Sequence, residues 1–366
     1  MSINNDEPYF IIDLNELENN YNNWINLLPN IIPYYATKCN NNPYIIKHLY
    51  KLGCNFDCAS KNEIEQILNL SNTSNNDTRI IFAHPCKYPS HLLFAQNNKI
   101  NLMTFDNEYE LDKIKKYYPD ASLILRIAVD DSKSKCKFNK KFGCKFDNIT
   151  NLLLYAKSIN LNIVGISFHV GSSCTCPSVY YNSLILVKDA IKIASEIGFD
   201  VNIIDIGGGF MKSNFKETSI IINKSIEELF NNSNIKFIAE PGRYMVESCQ
   251  SLYLTIIGKK KIDNTFIYYI NDSIYGSFNC ILFDYQNPEI IIDKHFEENE
   301  EKYNSIIFGN TCDSLDEIKS EIYLPELNIN DKLYINNFGA YTSSASSKNF
   351  NGYNVDKFII IPINTI

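Results

Sequence analysis

The chain has no C-x-x-C pair, no excess of basic residues and no apolar run long enough to cross a bilayer. Its 11 cysteines are odd in number and scattered, and "MSINNDEPYF" has no apolar leader. A disulfide scaffold and a readable zinc site are thereby excluded, and a reducing cytoplasm is the expected location. With 34 basic against 42 acidic residues the net charge is -8. That sign argues against a nucleic-acid partner and mildly favours cationic small molecules. The longest apolar runs, "GISFHVG" and "FIIIPI", fall far below the roughly 20 residues of a membrane-spanning helix. No membrane association is expected.

What the chain does have is length and alternation. Its 366 residues exceed the ~150-residue prior for one domain, so a large domain with a smaller one is expected. Asparagine, isoleucine, tyrosine and lysine are used heavily, and "NLSNTSNND" at 69–77 reads as a loop. Between residues 33 and 244, short β-rich runs alternate with helical patterns. The runs are "PYYATK", "NFDCAS", "RIIFAHP", "NLMTFD", "LILRIAV", "NIVGISFHVG", "NIIDIGGGF" and "KFIAEPGRY". Amphipathic stretches such as "KNEIEQILNL" and "SLILVKDAIKIASEIG" separate them, with Gly53 and Gly198 where helices tend to stop. Repeated β-α units of this kind predict an α/β fold, a (β/α)8 TIM barrel over 31–245, with a doubly wound open sheet as the alternative. From 246 to 366 the alternation gives way to strands joined by turns, a C-terminal β domain. Residues 1–30 supply a strand and a helix first, the strand expected to join the β domain.

Chemistry in such barrels sits at the carboxyl ends of the strands, and the unusual residues fall there. Lys38 ends the first strand, Asp57 the second, and Arg126 lies in the fifth; His169 and Ser172 end the sixth, Gly207 to Gly209 the seventh, and Glu240 to Arg243 the eighth. Each has an ordinary reading: Lys38 as a charge reaching solvent, His169 as a satisfied core histidine, Glu240 as an ion-pair partner of Arg243, and the glycine run as a flexible turn. Their one-sided clustering favours a site. A glycine run closing a strand lets backbone N–H groups approach a phosphate, and the loops after strands seven and eight are the usual phosphate site of barrels. A lysine, a phosphate nest and a carboxylate are what pyridoxal 5′-phosphate (PLP) needs: an amine for its aldehyde, an anchor for its phosphate and a partner for its ring nitrogen. Lys38, Arg243 and Glu240 fill those roles. No metal site is expected.

The stretches "PYYATKCN", "NFDCASKNEI", "LRIAVDDSKSKCKFNKKFG", "SFHVGSSC", "IDIGGGF", "AEPGRY", "NDSIYGSFNCILFD", "TCDSLDEI" and "GAYTSSAS" resemble the eukaryotic-type ornithine decarboxylases, in order and over nearly the whole chain. "HVGS", "GGGF" and "EPGR" are shared by the wider alanine-racemase-like decarboxylases; "YGSFNCILFD" and "TCDSLD" point to the ornithine branch. The resemblance implies decarboxylation of L-ornithine to putrescine, with PLP on Lys38, Glu240 at its ring nitrogen and His169 stacked on its ring. Ser172, Gly209, Gly242, Arg243 and Tyr341 would hold the phosphate, and Asp57 and Arg126 would order the polar groups nearby. Cys312 would protonate the substrate α-carbon; without the resemblance it would read as a buried free cysteine. Asp284 and Asp313 would receive the distal ammonium, with Tyr275 and Phe350 lining the path of its methylenes. The same resemblance implies a homodimer with shared sites, in which Cys312 and Asp313 serve the other subunit and Lys141 pairs with Asp316 across the interface.

Phe283, Asn310 and Ser273 depart from the family's usual tyrosine, proline and glycine, and "SSKNFNGY" carries one extra residue before Phe350. These changes leave the reaction in place and bear on the substrate range. A decarboxylase of lysine or arginine is the alternative enzyme, and Asp284, where short viral arginine-specific members carry glutamate, favours ornithine. A catalytically dead homologue of the antizyme-inhibitor kind is the non-enzymatic alternative; such proteins lose PLP contacts that are present here. The C-terminal extension that targets animal members for degradation is not seen in this sequence, and an antizyme-type regulator is left open.

Overall fold

The computed structural model describes residues 6–70, 79–231, 233–294, 300–347 and 349–363. Of the asparagine-rich segment expected as a loop, residues 71–77 lie outside the described residues. The chain divides into two compact units: Glu18–Met245, and the chain up to Leu17 together with everything from Val246 onward.

The first unit is a closed barrel of eight parallel strands: Ile31–Ala36, Asn55–Cys58, Ile80–Phe82, Leu102–Phe105, Ser122–Arg126, Asn162–Ser167, Ile203–Asp205 and Lys236–Ala239, the last pairing back to the first. Each of the eight apolar runs read from the sequence contributes one strand, and the closure decides for the barrel over the open sheet. Tyr34, Ile81, Ile124 and Ile238 pack together inside it, joined by Ile32, Val164 and Ile203. Parallel strands covered on both faces read as near-continuous apolar runs, which is why they were legible. At Gly165 a Cβ would stand 2.9 Å from Ile124 Cγ1, so the strand must be bare there.

Helix starts in this unit follow capping chemistry. Ser60 Oγ accepts the Glu63 N–H at 3.3 Å while Glu63 Oε2 accepts the Ala59 N–H at 2.5 Å, a reciprocal cap on Lys61–Leu68. Asn107 caps Glu108–Tyr117 through the Glu110 N–H, and Gly198, left-handed at φ 95°, ends Ser178–Ile197. A two-stranded antiparallel ribbon, Ser134–Cys136 with Ser172–Cys174, follows the sixth and fifth strands out of the barrel.

The second unit is built on one sheet in the order Ile291–Ile292, Lys332–Ile335, Gln250–Ile262, Thr265–Ile270, Lys302–Phe308, Glu317–Pro325. Tyr9–Asp13 pairs antiparallel with the first half of Gln250–Ile262 and parallel with Phe358–Ile361. The pairing carries its own packing: Phe10 stacks on Phe358 at 5.4 Å, and Phe10, Leu252, Leu254, Ile307, Leu333 and Phe338 share a core. Among the described residues no helix is long and apolar enough to cross a membrane, and no group of three His, Cys, Asp or Glu side chains could hold a metal ion.

Candidate active site

Lys38 sits in the single 3-10 turn Thr37–Cys39 that follows the first barrel strand. Thr37 Oγ1 donates to the Asp57 carbonyl at 2.9 Å, which fixes the turn against the neighbouring strand. Lys38 Nζ then meets Asp57 Oδ2 at 2.5 Å; the lysine side chain is 44% exposed and the aspartate fully buried. The amine is therefore reachable from outside while its counter-charge is built into the barrel. Asp57 Oδ1 has no hydrogen-bond partner among the described residues. Behind it lies Glu63, whose carboxyl is pushed above its ordinary range, chiefly by burial and further by the charge of Asp57.

Opposite strands supply the remaining groups. Arg126 ends the fifth strand with Nε and Nη2 buried and without hydrogen-bond partners among the described residues. Its guanidinium lies 5.4 Å from the Phe142 ring. The Nδ1 of His169 accepts the Gly171 N–H at 3.0 Å, so the ring hydrogen is on Nε2. Burial first, then the charges of Arg126 and Lys38, hold this imidazole well below its usual pKa and hence neutral. Phe138 packs edge-on against it at 4.9 Å.

The glycine run after Ile203–Asp205 is sterically obligatory. A Cβ on Gly207, left-handed at φ 64°, would lie 2.2 Å from the Phe168 carbonyl oxygen, and one on Gly209, at φ 100°, 2.7 Å from that of Gly171. A Cβ on Gly208 would press on His169 Nε2 at 2.8 Å. Asp205 Oδ1 accepts the Gly207 N–H at 2.9 Å and so shapes the turn. Ser172 is buried at the start of its ribbon strand. Gly242 precedes Arg243, which is buried and opens the short helix Arg243–Val246.

Glu240 follows the eighth strand, its N–H donating to the Gly207 carbonyl at 2.7 Å and its Oε1 buried without a hydrogen-bond partner among the described residues. Burial, then the neighbouring carboxylates Asp205 and Asp57, raise its pKa far above the usual value, against the pull of Lys38 and Arg126. Asp205 is pushed up to about 7, also mainly by burial. Two carboxyl groups in one dry site cannot both ionise cheaply, so one proton is held between them.

The β domain gathers a second set of residues. Tyr275 donates its hydroxyl to Asp313 Oδ2, and its ring stacks on Phe350 at 3.9 Å, 13° from parallel. The Leu315 N–H and then the Tyr275 hydroxyl draw Asp313 below the ordinary carboxylate range. Cys312 is exposed, so the reading as a buried free thiol does not hold; its N–H donates to Asn351 Oδ1 at 2.9 Å. Asp284 is buried at the end of the helix Asn279–Phe283 and accepts from Gln286 Nε2 at 2.7 Å. Phe283 beside it is 74% exposed, so its departure from tyrosine changes a surface side chain. Tyr341 is half-buried at a left-handed φ of 56°. Asp316, expected as half of a cross-subunit pair with Lys141, has a task within its own domain: Oδ1 accepts the Ile274 N–H, and Oδ2 the Thr311 N–H and hydroxyl.

Asp205, Glu63 and Asn351 were not singled out from the sequence. Glu63 had a signal, the S-x-x-E capping box at Ser60. For Asp205 the only hint was its place ahead of the glycine run.

Comparison with known proteins bears on both units. The pyridoxal-binding domain of pyridoxal-dependent decarboxylases matches residues 14–247, and the C-terminal sheet domain of the same proteins matches 179–339. Mouse ornithine decarboxylase is 39% identical, over 95% of this chain and 79% of its own length. Antizyme inhibitor 2 of Xenopus laevis is 40% identical over the same shares. Among solved structures, the arginine decarboxylase of Paramecium bursaria Chlorella virus superposes with a TM-score of 0.93 at 35% identity, over 97% of this chain and 96% of that one.

Proposed function

The chain belongs to the pyridoxal-dependent decarboxylase family, and from that premise we propose that it decarboxylates L-ornithine to putrescine and carbon dioxide. The observation that carries the reading is the mouth of the barrel: a reachable lysine on a buried aspartate, facing a dry carboxyl pair, a neutral histidine and a glycine cradle. These residues fit PLP. The buried Glu240 Oε1 offers an acceptor to a protonated ring nitrogen, and the bare backbone at Gly207–Gly209 admits a phosphate where side chains would collide. Bound there, the cofactor supplies a sink for the electron pair left on the α-carbon as carbon dioxide departs.

The chain's own groups do the rest. Lys38 binds the aldehyde and Asp57 keeps its amine oriented. Glu240 would retain a proton at the ring nitrogen, Arg126 would order the polar groups near Lys38, and uncharged His169 would cover the ring without adding a competing cation. Ser172, Gly209, Gly242, Arg243 and Tyr341 hold the phosphate. Cys312 gives its proton to the α-carbon and is reprotonated from water. Asp284 and Asp313 receive the distal ammonium, and Tyr275 with Phe350 line the methylene path. Retention of the lysine, the carboxylate, the buried arginine and the thiol speaks against an antizyme-inhibitor-like role.

The likeness to a viral arginine decarboxylase keeps a second substrate in view. Turnover of ornithine, lysine and arginine, with each diamine or agmatine product identified, decides between them; preference for arginine would overturn the ornithine reading. Asp284→Glu is expected to lower kcat/KM for ornithine more than for lysine or arginine, because the carboxylate moves while the α-carbon stays put. Equal losses on all three would show that Asp284 does not measure substrate length.

A shared dimeric site follows from the same reading, with Cys312 and Asp313 serving the partner subunit's Lys38. Lys38→Ala and Cys312→Ala enzymes should each be nearly inactive. Mixed in equal amounts, half of the dimers become heterodimers, each with one intact site, and about a quarter of wild-type activity returns. No recovery, with exchange verified by mass-tagged subunits, would place every catalytic residue in one chain.

A further inference from the structure

Three consecutive residues of the β domain, Thr311, Cys312 and Asp313, are each tied to a different segment. Thr311 is held from below by Asp316 through its N–H at 3.0 Å and its hydroxyl at 2.7 Å. Asp313 is held by Tyr275 and by the Leu315 N–H. Asn310, where the family has proline, adds an Nδ2 bond to the Asn271 carbonyl at 3.0 Å. Cys312 is exposed, so packing does not aim its thiol. Its N–H is bound by Asn351 Oδ1 at 2.9 Å.

Asn351 is suited to this by its backbone. It stands at φ 50°, between Phe350 and Gly352, in a turn that is also left-handed at Asn349 and Gly352. Asparagine and aspartate tolerate that region and carry a short acceptor; glycine tolerates it without one. Because Phe350 stacks on Tyr275 and Tyr275 bonds Asp313, the turn also reaches the neighbouring residue from its other side.

We infer that Asn351 is a positioning residue for proton delivery, aiming the Cys312 thiol at the substrate α-carbon. The inference rests on the decarboxylase reading. With correct aim, the α-carbon would receive the thiol proton onto the electron pair left by carbon dioxide, and the Lys38 amine would replace the product nitrogen on the cofactor's aldehyde carbon as the diamine leaves. With poor aim, a proton from water would reach the carbon on the cofactor side of the nitrogen instead; a second water would then cleave the C=N bond, its oxygen leaving in an amino-aldehyde while the cofactor would keep the nitrogen. The ratio of the two products therefore reports on aim, which general loosening of the fold does not shift.

Asn351→Gly, which keeps the backbone and loses the acceptor, should raise the amino-aldehyde fraction about tenfold, the effect of roughly one hydrogen bond. Asn351→Ala should do the same, and Asn351→Asp should restore the wild-type ratio. In cofactor-free protein the alkylation rate of Cys312 by iodoacetamide, read by peptide mass spectrometry, should change in the glycine variant and return in the aspartate one. An unchanged ratio and alkylation rate in Asn351→Gly overturns the inference, as does an aspartate variant no better than glycine. Wild-type enzyme that yields no diamine would instead sink the decarboxylase reading, while the alkylation series still judges the tie.

Discussion

Lys38→Ala abolishes turnover, a loss on the order of a million-fold as when an enzyme's nucleophile is deleted. No other amine in "YYATKCN" can take its place, and Lys38 alone in that turn meets the buried Asp57 at 2.5 Å. The same change leaves Asp57 as a buried carboxylate without its cation, so the variant should also melt earlier than wild type. That side effect can be separated. Lys38→Ala combined with Asp57→Asn removes the uncompensated charge, and should recover thermal stability without recovering any turnover. Borohydride reduction of the loaded wild-type enzyme, followed by peptide mapping, should put the cofactor's mass on Lys38 and on no other residue. Substantial activity in the single variant, or a mass on another lysine, would defeat the assignment.

The barrel was legible because its physics is local. Runs such as "NIIDI" and "KFIA" are apolar on both faces and end at turn residues, and all eight became strands. In the β domain the signal was weaker. Glu317–Pro325 reads EIKSEIYLP with an irregular exposure pattern, and Lys302–Phe308 carries polar residues through its first half, so neither stood out as a strand. Pairing with each other and with Thr265–Ile270 supplies what their composition does not.

The site divides in the same way. Lys38, Asp57, Glu240 and the glycines could be found because barrel topology sends strand ends to one face. Asn351 could not, because its role depends on a hydrogen bond to a residue 39 positions away and on a left-handed turn. Asp316 was noticed for a pairing between subunits, yet it is almost fully buried and binds the Thr311 and Ile274 segments of its own chain. Likeness to a family names residues; contacts inside the chain say what else each one does.

Glu240→Gln and Glu240→Ala should lower the decarboxylation rate by about a hundred- to a thousand-fold, the roughly 3–4 kcal/mol lost with a preorganised charge in a dry site. Cofactor binding should persist in part, since the glycine cradle and Arg243 are untouched. The cost of this carboxylate is visible without cofactor. Both Glu240 and Asp205 are raised by burial, Asp205 to about 7, so the folded chain holds protons that the unfolded chain releases near pH 4. The folded state then binds more protons than the unfolded one, and stability must fall as pH rises from about 4 through about 7. Glu240→Gln removes one member of the pair, and with it the proton that the raised Glu240 carboxyl keeps in the folded state. The cofactor-free variant should therefore lose less stability over that window than wild type, and be the more stable of the two at neutral pH while being the poorer catalyst. Melting curves of the cofactor-free proteins across that range test the first half, and single-turnover loss of labelled carbon dioxide tests the second. Identical pH slopes would mean that the carboxyl pair is not held protonated, and an undiminished single-turnover rate would remove Glu240 from the ring nitrogen.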